Sequence, residues 1–277
     1  MKLHFKQYST QGEPLLIMHG LFGSLGNWAW HSRELAKDFA VIGLDLRNHG
    51  GSPHSDEMNY VCMAQDVLEF MDDHAIERCH LLGHSMGGKV AMQLALSAPQ
   101  RVDRLVVADI APVTYPGQHD SVFDGLLAID LDSIGSRSAA DVVLAQYEED
   151  ELVRQFLLTN LLKKPEGGFY WRVNLPALQA NYVRLRERPP ADGVFAGPVL
   201  FVKGALSNYI VEQHRDEILQ RFPQAKTKVI MHTGHWLHAE KPQTFYRIVH
   251  SFLTPATAEA PAESAWPCTP VQTLEPT

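Results

Sequence analysis

Short apolar runs alternate along this chain with stretches whose apolar residues recur every three or four positions. Leu15–Met18, Val41–Leu44, His80–Leu82, Leu105–Ala108, Val199–Val202 and Lys228–Met231 are the short runs and have the length of strands. Tyr60–His74 reads as a helix with Val61, Ala64, Val67, Leu68 and Met71 on one face. Lys241–Leu253 reads as another, with Phe245, Ile248, Val249 and Phe252 in register and Pro242 in the first turn. Apolar strands alternating with helices predict an α/β fold, a mostly parallel central sheet covered by helices on both faces. Lys2–Tyr8 adds an antiparallel edge strand to that prediction.

The alternation stops between residues 115 and 190, where no clear strand shows. Leucine-rich helical stretches around Phe123–Ile129, Ala139–Tyr147, Glu151–Leu162 and Leu175–Arg186 replace it. They predict a helical cap inserted between two strands and lying over the strand C-terminal ends, where ligands bind in such folds. The expected division is therefore a core of residues 1–114 and 191–254, a cap of residues 115–190, and a tail of residues 255–277. The tail holds neither Lys nor Arg and is rich in Pro, Ala, Thr and Glu, a composition expected to be disordered and dispensable. No internal repeat is visible.

The chain has 277 residues, enough for one large domain with an insertion. A net charge of −8 and a pI near 5.9 argue against nucleic acid or an anionic membrane surface as partner. Met1 to Tyr8 carry charged and polar groups, so neither a signal peptide nor a spanning helix is expected. Cys62, Cys79 and Cys268 have no metal-type spacing and cannot all pair. That pattern predicts a reduced, cytoplasmic protein with inert thiols. The sequence carries no signal of oligomeric state.

Chemistry concentrates in Gly83-His84-Ser85-Met86-Gly87, a G-x-S-x-G between a strand-like run and a helical pattern. This is the layout of a nucleophile elbow, a strained strand-to-helix turn whose glycines allow backbone to pass close by. A glycine-rich turn with an ordinary serine would share the spelling. Ser85 therefore needs partners: a general base, and a group that orients the base. His235 follows the last strand-like run and precedes the last helix; His232 and His238 compete with it. The loop after Val199–Val202 holds no carboxylate, and Glu212 and Asp216 read as exposed helix positions. Asp109 ends the strand next to the one that carries Ser85, and is the expected orienting acid; a turn-capping role is its alternative. Ser207 is a weaker candidate for contact with the imidazole. The oxyanion hole is expected from the backbone N–H groups of Met86 and Leu21, with Phe22 as the other candidate donor.

The chain resembles the α/β-hydrolase superfamily, and within it the YbfF-like bacterial esterases. The resemblance rests on H-G-L-F-G-S at His19–Ser24, D-L-R-N-H-G-x-S at Asp45–Ser52, G-H-S-M-G-G at Gly83–Gly88 and G-H-W-x-H-A-E-K-P at Gly234–Pro242. It runs from about Pro14 to Leu253. It implies a helical cap, a Ser-His-Asp apparatus, no cofactor, and hydrolysis of carboxylic esters or acyl thioesters, with the nucleophile at Ser85 and the histidine at His235. The absence of a carboxylate near Ser207 departs from the common superfamily pattern and leaves the acid open. Asp45 and Arg47 are expected to bond backbone in their turn rather than to act on substrate.

The expected partner is a small-molecule ester or acyl thioester. Phe22, Trp171, Tyr182 and Trp236 are expected to touch it; Trp171 and Tyr182 belong to a cap set that also holds Phe123, Leu126, Leu127, Phe169 and Tyr170, most of which self-packing of the cap explains better. Lys163, Lys164, Arg172, Arg184, Arg186 and Arg188 make the cap locally basic. They would suit an anionic leaving group such as coenzyme A, or simply form a solvated face. The same apparatus would serve a cofactor-free haloperoxidase or perhydrolase, or a carbon–carbon bond hydrolase; a non-catalytic binding protein is a further reading. His232, His235 and His238 recur every three residues, but Gly234 makes the stretch a loop entering a helix, so no metal is expected.

Overall fold

The structure is a computed structural model that describes residues 1–117 and 119–254. The expected tail, with Cys268, lies outside the described residues. In chain order the strands are β1 (Phe5–Gln7), β2 (Glu13–Met18), β3 (Phe39–Leu44), β4 (Cys79–His84), β5 (Val102–Ala108), β6 (Leu161–Lys163), β7 (Phe169–Trp171), β8 (Val199–Gly204) and β9 (Ala225–Ile230). The α-helices are α1 (Ala29–Leu35), α2 (Tyr60–Asp73), α3 (Met86–Ser97), α4 (Asp120–Leu127), α5 (Arg137–Leu144), α6 (Glu151–Leu158), α7 (Leu175–Arg186), α8 (Arg215–Arg221), α9 (Leu237–Glu240) and α10 (Pro242–Leu253).

Seven strands form one sheet in the order β1-β3-β2-β4-β5-β8-β9, with β1 antiparallel and the rest parallel. The period of two sorts each central strand between two cores. Leu16, Met18, Leu81, Leu105, Val107, Val199 and Phe201 face α2, α3 and the inserted helices. Leu15, Ile17, Leu82, Val106, Ala108, Leu200 and Val202 face Trp28, Leu35 and the Phe245, Val249 and Leu253 stripe of α10. Strand β3 lies on one side of β2 and β4 on the other, so the chain reverses its direction of travel across the sheet at β2/β4. Open α/β sheets bind ligands in the crevice above such a point.

Two expectations need correction. On α2 the buried face is Met63, Ala64, Val67, Phe70 and Met71, while Val61 is 55 % exposed, so the stripe turns away from that residue. Between β5 and β8 the helices α4 to α7 are joined by a small antiparallel hairpin, β6 with β7, at a point where no strand was expected. Its strands have three residues each, too short for a period to register, and Gly167 and Gly168 turn it at φ of +103° and +80°. Among the described residues no helix is long and apolar enough to cross a membrane.

Candidate active site

Strand β4 ends at His84 and α3 begins at Met86, leaving Ser85 alone in the turn with φ +50° and ψ −118°. A non-glycine residue there is strained, and the surrounding contacts must hold it. They do so by proximity. A Cβ on Gly83 would lie 2.2 Å from the Gly87 carbonyl oxygen, and one on Gly87 would lie 2.5 Å from the His19 oxygen. The two glycines therefore let α3 and the loop after β2 close over the strand end. Ser85 N–H donates to the Ala108 oxygen at 3.0 Å, tying the turn to β5.

Asp109 directly follows β5, fully buried, at φ +52°. Each of its oxygens is occupied. Oδ1 accepts from Gly204 N–H at 3.0 Å, and Oδ2 accepts from His235 Nδ1 at 2.8 Å and from the Ser207 hydroxyl. A buried carboxylate is tolerable only when so bonded. The His235 ring is further fixed by stacking on Tyr209, with centroids 4.0 Å apart and planes at 25°. Its carbonyl accepts from His84 Nε2 at 2.9 Å. With Nδ1 donating to Asp109, Nε2 of the neutral ring is left as the proton acceptor. Among the described residues no hydrogen bond joins Ser85 Oγ to His235; both side chains line the same cavity.

That cavity has a volume of about 270 Å³. The loop after β2 forms one wall. Phe22 N–H, at φ +61°, is already committed to His49 Nε2 at 3.1 Å, whereas no hydrogen bond from Leu21 or Met86 N–H is found among the described residues. Met86 opens α3, where the first N–H groups have no partner within the helix. Of the four side chains expected to touch substrate, Phe22, Tyr182 and Trp236 line the cavity. Trp171 does not: it sits on β7, packed against the larger core. Of the six basic residues between positions 163 and 188, Arg186 alone lines the cavity among the described residues, while Lys163, Lys164, Arg184 and Arg188 are exposed.

The neighbouring histidines part company. His232 is exposed, whereas His238 is buried and stacked flat on Trp28 at 4.4 Å. Burial, then the charges of His31 and His235, push the His238 pKa down to about 3. No group of three possible metal ligands occurs among the described residues. The turn after β3 is held by its own side chains. Asp45 accepts from Leu25 and Gly51 N–H, and Arg47 forks onto Asp66 while donating to the Glu57 oxygen.

Sequence patterns did not flag two cavity residues. Lys89 is buried, with Nζ donating to the Arg186 and Glu187 carbonyls at 2.9 and 2.5 Å, and burial lowers its pKa to about 7. It stands four residues beyond Ser85, so the elbow motif was its signal. His119 Nδ1 meets the Tyr182 hydroxyl at 2.8 Å; burial, then the His235 charge, lowers its pKa to about 4. Nothing in the pattern around His119 marks it.

Known proteins share the fold. The α/β-hydrolase fold family matches residues 13–242. The chain belongs to the α/β-hydrolase fold family. It is 40 % identical over 260 residues to Esterase YbfF of Escherichia coli, covering 91 % of this chain and 99 % of that one. It is 39 % identical over 247 residues to an sn-1-specific diacylglycerol lipase of Mus musculus, covering 86 % and 80 %. Among solved structures, a marine microorganism esterase superposes with a TM-score of 0.89 at 37 % identity, covering 91 % and 99 %. In this α/β-hydrolase, as the fold predicts, the cavity opens at the β2/β4 crevice.

Proposed function

We propose that this α/β-hydrolase is a serine hydrolase that cleaves carboxylic esters or acyl thioesters through an acyl-enzyme. The observation that carries the reading is the 2.8 Å bond from His235 Nδ1 to the buried Asp109, beside the cavity that Ser85 lines at φ +50°. Relatives named esterase and lipase support ester hydrolysis. Ser85 Oγ attacks the acyl carbonyl while His235 Nε2 takes its proton. The Leu21 and Met86 N–H groups, both unpartnered among the described residues, hold the oxyanion of the tetrahedral intermediate. His235 then protonates the departing alcohol or thiol. Water repeats the sequence on the acyl-serine and releases the acid. Asp109 holds the imidazole in the Nδ1–H tautomer and stabilises its cation without taking the proton.

Residues 115–190 act in this reading as the cap that roofs the cavity, contributing Val122, Val153, Phe156, Leu157 and Tyr182 to its lining. A cytoplasmic location accords with Cys62 and Cys79, both free thiols. No cofactor enters the steps. Hydrolysis of p-nitrophenyl esters from acetate to palmitate, beside matched acyl thioesters, tests the assignment. Turnover that disappears in Ser85→Ala is expected. An inactive wild type whose Ser85 also fails to react with a serine-directed phosphonate would overturn it in favour of a binding protein.

A further inference from the structure

Three successive peptides of the loop after β2 are each held by a buried side chain. The Gly20 carbonyl accepts from His19 Nδ1 at 2.8 Å and from Gly23 N–H at 3.0 Å. The Phe22 N–H donates to His49 Nε2 at 3.1 Å. The Phe22 carbonyl accepts from Asn160 Nδ2 at 2.7 Å. Asn160 belongs to the insertion, between α6 and β6, and is 1 % exposed. Its own backbone oxygen accepts from Arg172 N–H at 2.9 Å, which anchors it to the β6/β7 hairpin.

Planarity makes these bonds informative about a group that none of them touches. The Leu21 N–H lies on the plane of the Gly20 carbonyl, so holding that oxygen sets one direction for the N–H. The plane can still rotate if the next two peptides are loose, and Phe22 is the weak point. Its φ of +61° sits at the third position of the Gly20–Gly23 turn, where glycine or asparagine is preferred. A phenylalanine there persists only if its neighbours over-determine it. His49 and Asn160 grip it from both ends, N–H and C=O. His49 is suited to accept because its Nδ1–H is spent on the Arg47 carbonyl at 2.9 Å. Burial, then the adjacent His19, hold its ring neutral.

We infer that His49 and Asn160 are positioning residues of the oxyanion hole, clamping the Phe22 peptides so that the Leu21 N–H stays aimed at the reacting carbonyl. The inference rests on the oxyanion role proposed above for Leu21. It also gives the insertion a part in the chemistry beyond covering the cavity: a side chain of the insertion completes the catalytic loop.

The test compares Asn160→Asp, Asn160→Ser and His49→Gln with wild type, each corrected for active sites by phosphonate titration of Ser85. Asn160→Asp keeps the shape and replaces the donor by an acceptor facing the Phe22 carbonyl. Serine can restore a donor, and glutamine offers an acceptor to Phe22 N–H. Removing an oxyanion donor outright costs about 10²–10³ in kcat, so a misaimed one should cost about tenfold to a hundredfold. Asn160→Asp is expected to lose that in kcat with KM within twofold, and Asn160→Ser and His49→Gln to lose less. Affinity for a trifluoromethyl ketone, whose adduct carries the oxyanion, should fall in step with kcat/KM. A role in stability alone would lower Tm and leave both ratios unmoved. An active wild type with Asn160→Asp at wild-type kcat per site, or with the loss confined to KM, overturns the clamp alone. If Asn160→Asp does not fold, an unchanged kcat per site in His49→Ala, which leaves Phe22 N–H without that acceptor, overturns it equally. An inactive wild type overturns the hydrolase reading and the clamp with it.

Discussion

Ser207 and His235 share one acceptor: the hydroxyl of the first and Nδ1 of the second both donate to Oδ2 of Asp109. The loop after β8 thus supplies a hydroxyl where a carboxylate was missing, and the carboxylate comes from the end of β5. The two side chains should differ sharply in consequence. Asp109→Asn presents an amide that can force the wrong imidazole tautomer, and a loss in kcat on the order of 10⁴ is expected. Ser207→Ala removes one of three bonds to a carboxylate that keeps the other two. It should cost about tenfold, or ~1.4 kcal/mol in the barrier. Ester kinetics with both variants decides it. An Asp109→Asn enzyme near wild-type rate would remove Asp109 from the mechanism.

The parts of the site that were legible in the sequence are those that backbone geometry forces. Gly83 and Gly87 are spelled out because no Cβ fits either position. Asp109 could be named because a carboxylate closing an inner strand has few solvated alternatives. The parts that were not legible depend on approaches between distant segments. Asn160 reaches Phe22 across 138 positions and His119 meets Tyr182 across 63, and neither spacing leaves a local pattern. Trp171 misled for the same reason: a large aromatic in the insertion serves either cavity or core, and here the hairpin turns it to the core. That hairpin had one usable signal, the Gly167-Gly168 pair, a common turn between short strands.

Among the basic residues between positions 163 and 188, Arg186 is the one whose charge should discriminate among substrates. Arg186 lines the cavity, its guanidinium 5.6 Å from the Tyr182 ring centroid and its Nε buried without a hydrogen-bond partner among the described residues. Arg184, two residues earlier, is exposed. Arg186→Glu is expected to lower kcat/KM for esters or thioesters bearing a carboxylate or phosphate by at least about tenfold relative to neutral ones, since a full charge reversal acts in a partly desolvated site. Arg184→Glu should shift that ratio by less than about threefold, as screened surface charges do. Equal ratios in both variants would assign the basic stretch to a solvated face.

Activity should survive a chelator. His235 is committed to Asp109, His238 is buried against Trp28 and His232 faces outward, so the three cannot converge on one ion with the 2.0–2.1 Å bonds typical of zinc. Assay after exhaustive dialysis against a strong chelator, with and without added zinc, is expected to return the same kcat. A loss restored by metal would contradict the mechanism proposed for Ser85 and His235.

Acid should destabilise this protein steeply, because it buries neutral histidines around the site. Burial is the leading cause of the lowered pKa in His19, His49, His84 and His238, with His49 and His238 each brought to about 3. In the unfolded chain each returns to the ordinary value near 6.5. Between those limits the unfolded state binds more protons than the folded one, so stability rises with pH. The contribution is therefore complete above pH 6.5 and is lost as pH falls from there toward 3. Each such histidine adds up to about 1.4 kcal/mol per pH unit to the slope. Urea unfolding between pH 7 and pH 4.5 should show several protons taken up on unfolding. His49→Gln, which keeps an acceptor for Phe22 N–H and cannot titrate, should remove about one of them. An unchanged slope in that variant would mean that His49 is already protonated in the folded protein, and its ring could then no longer accept from Phe22.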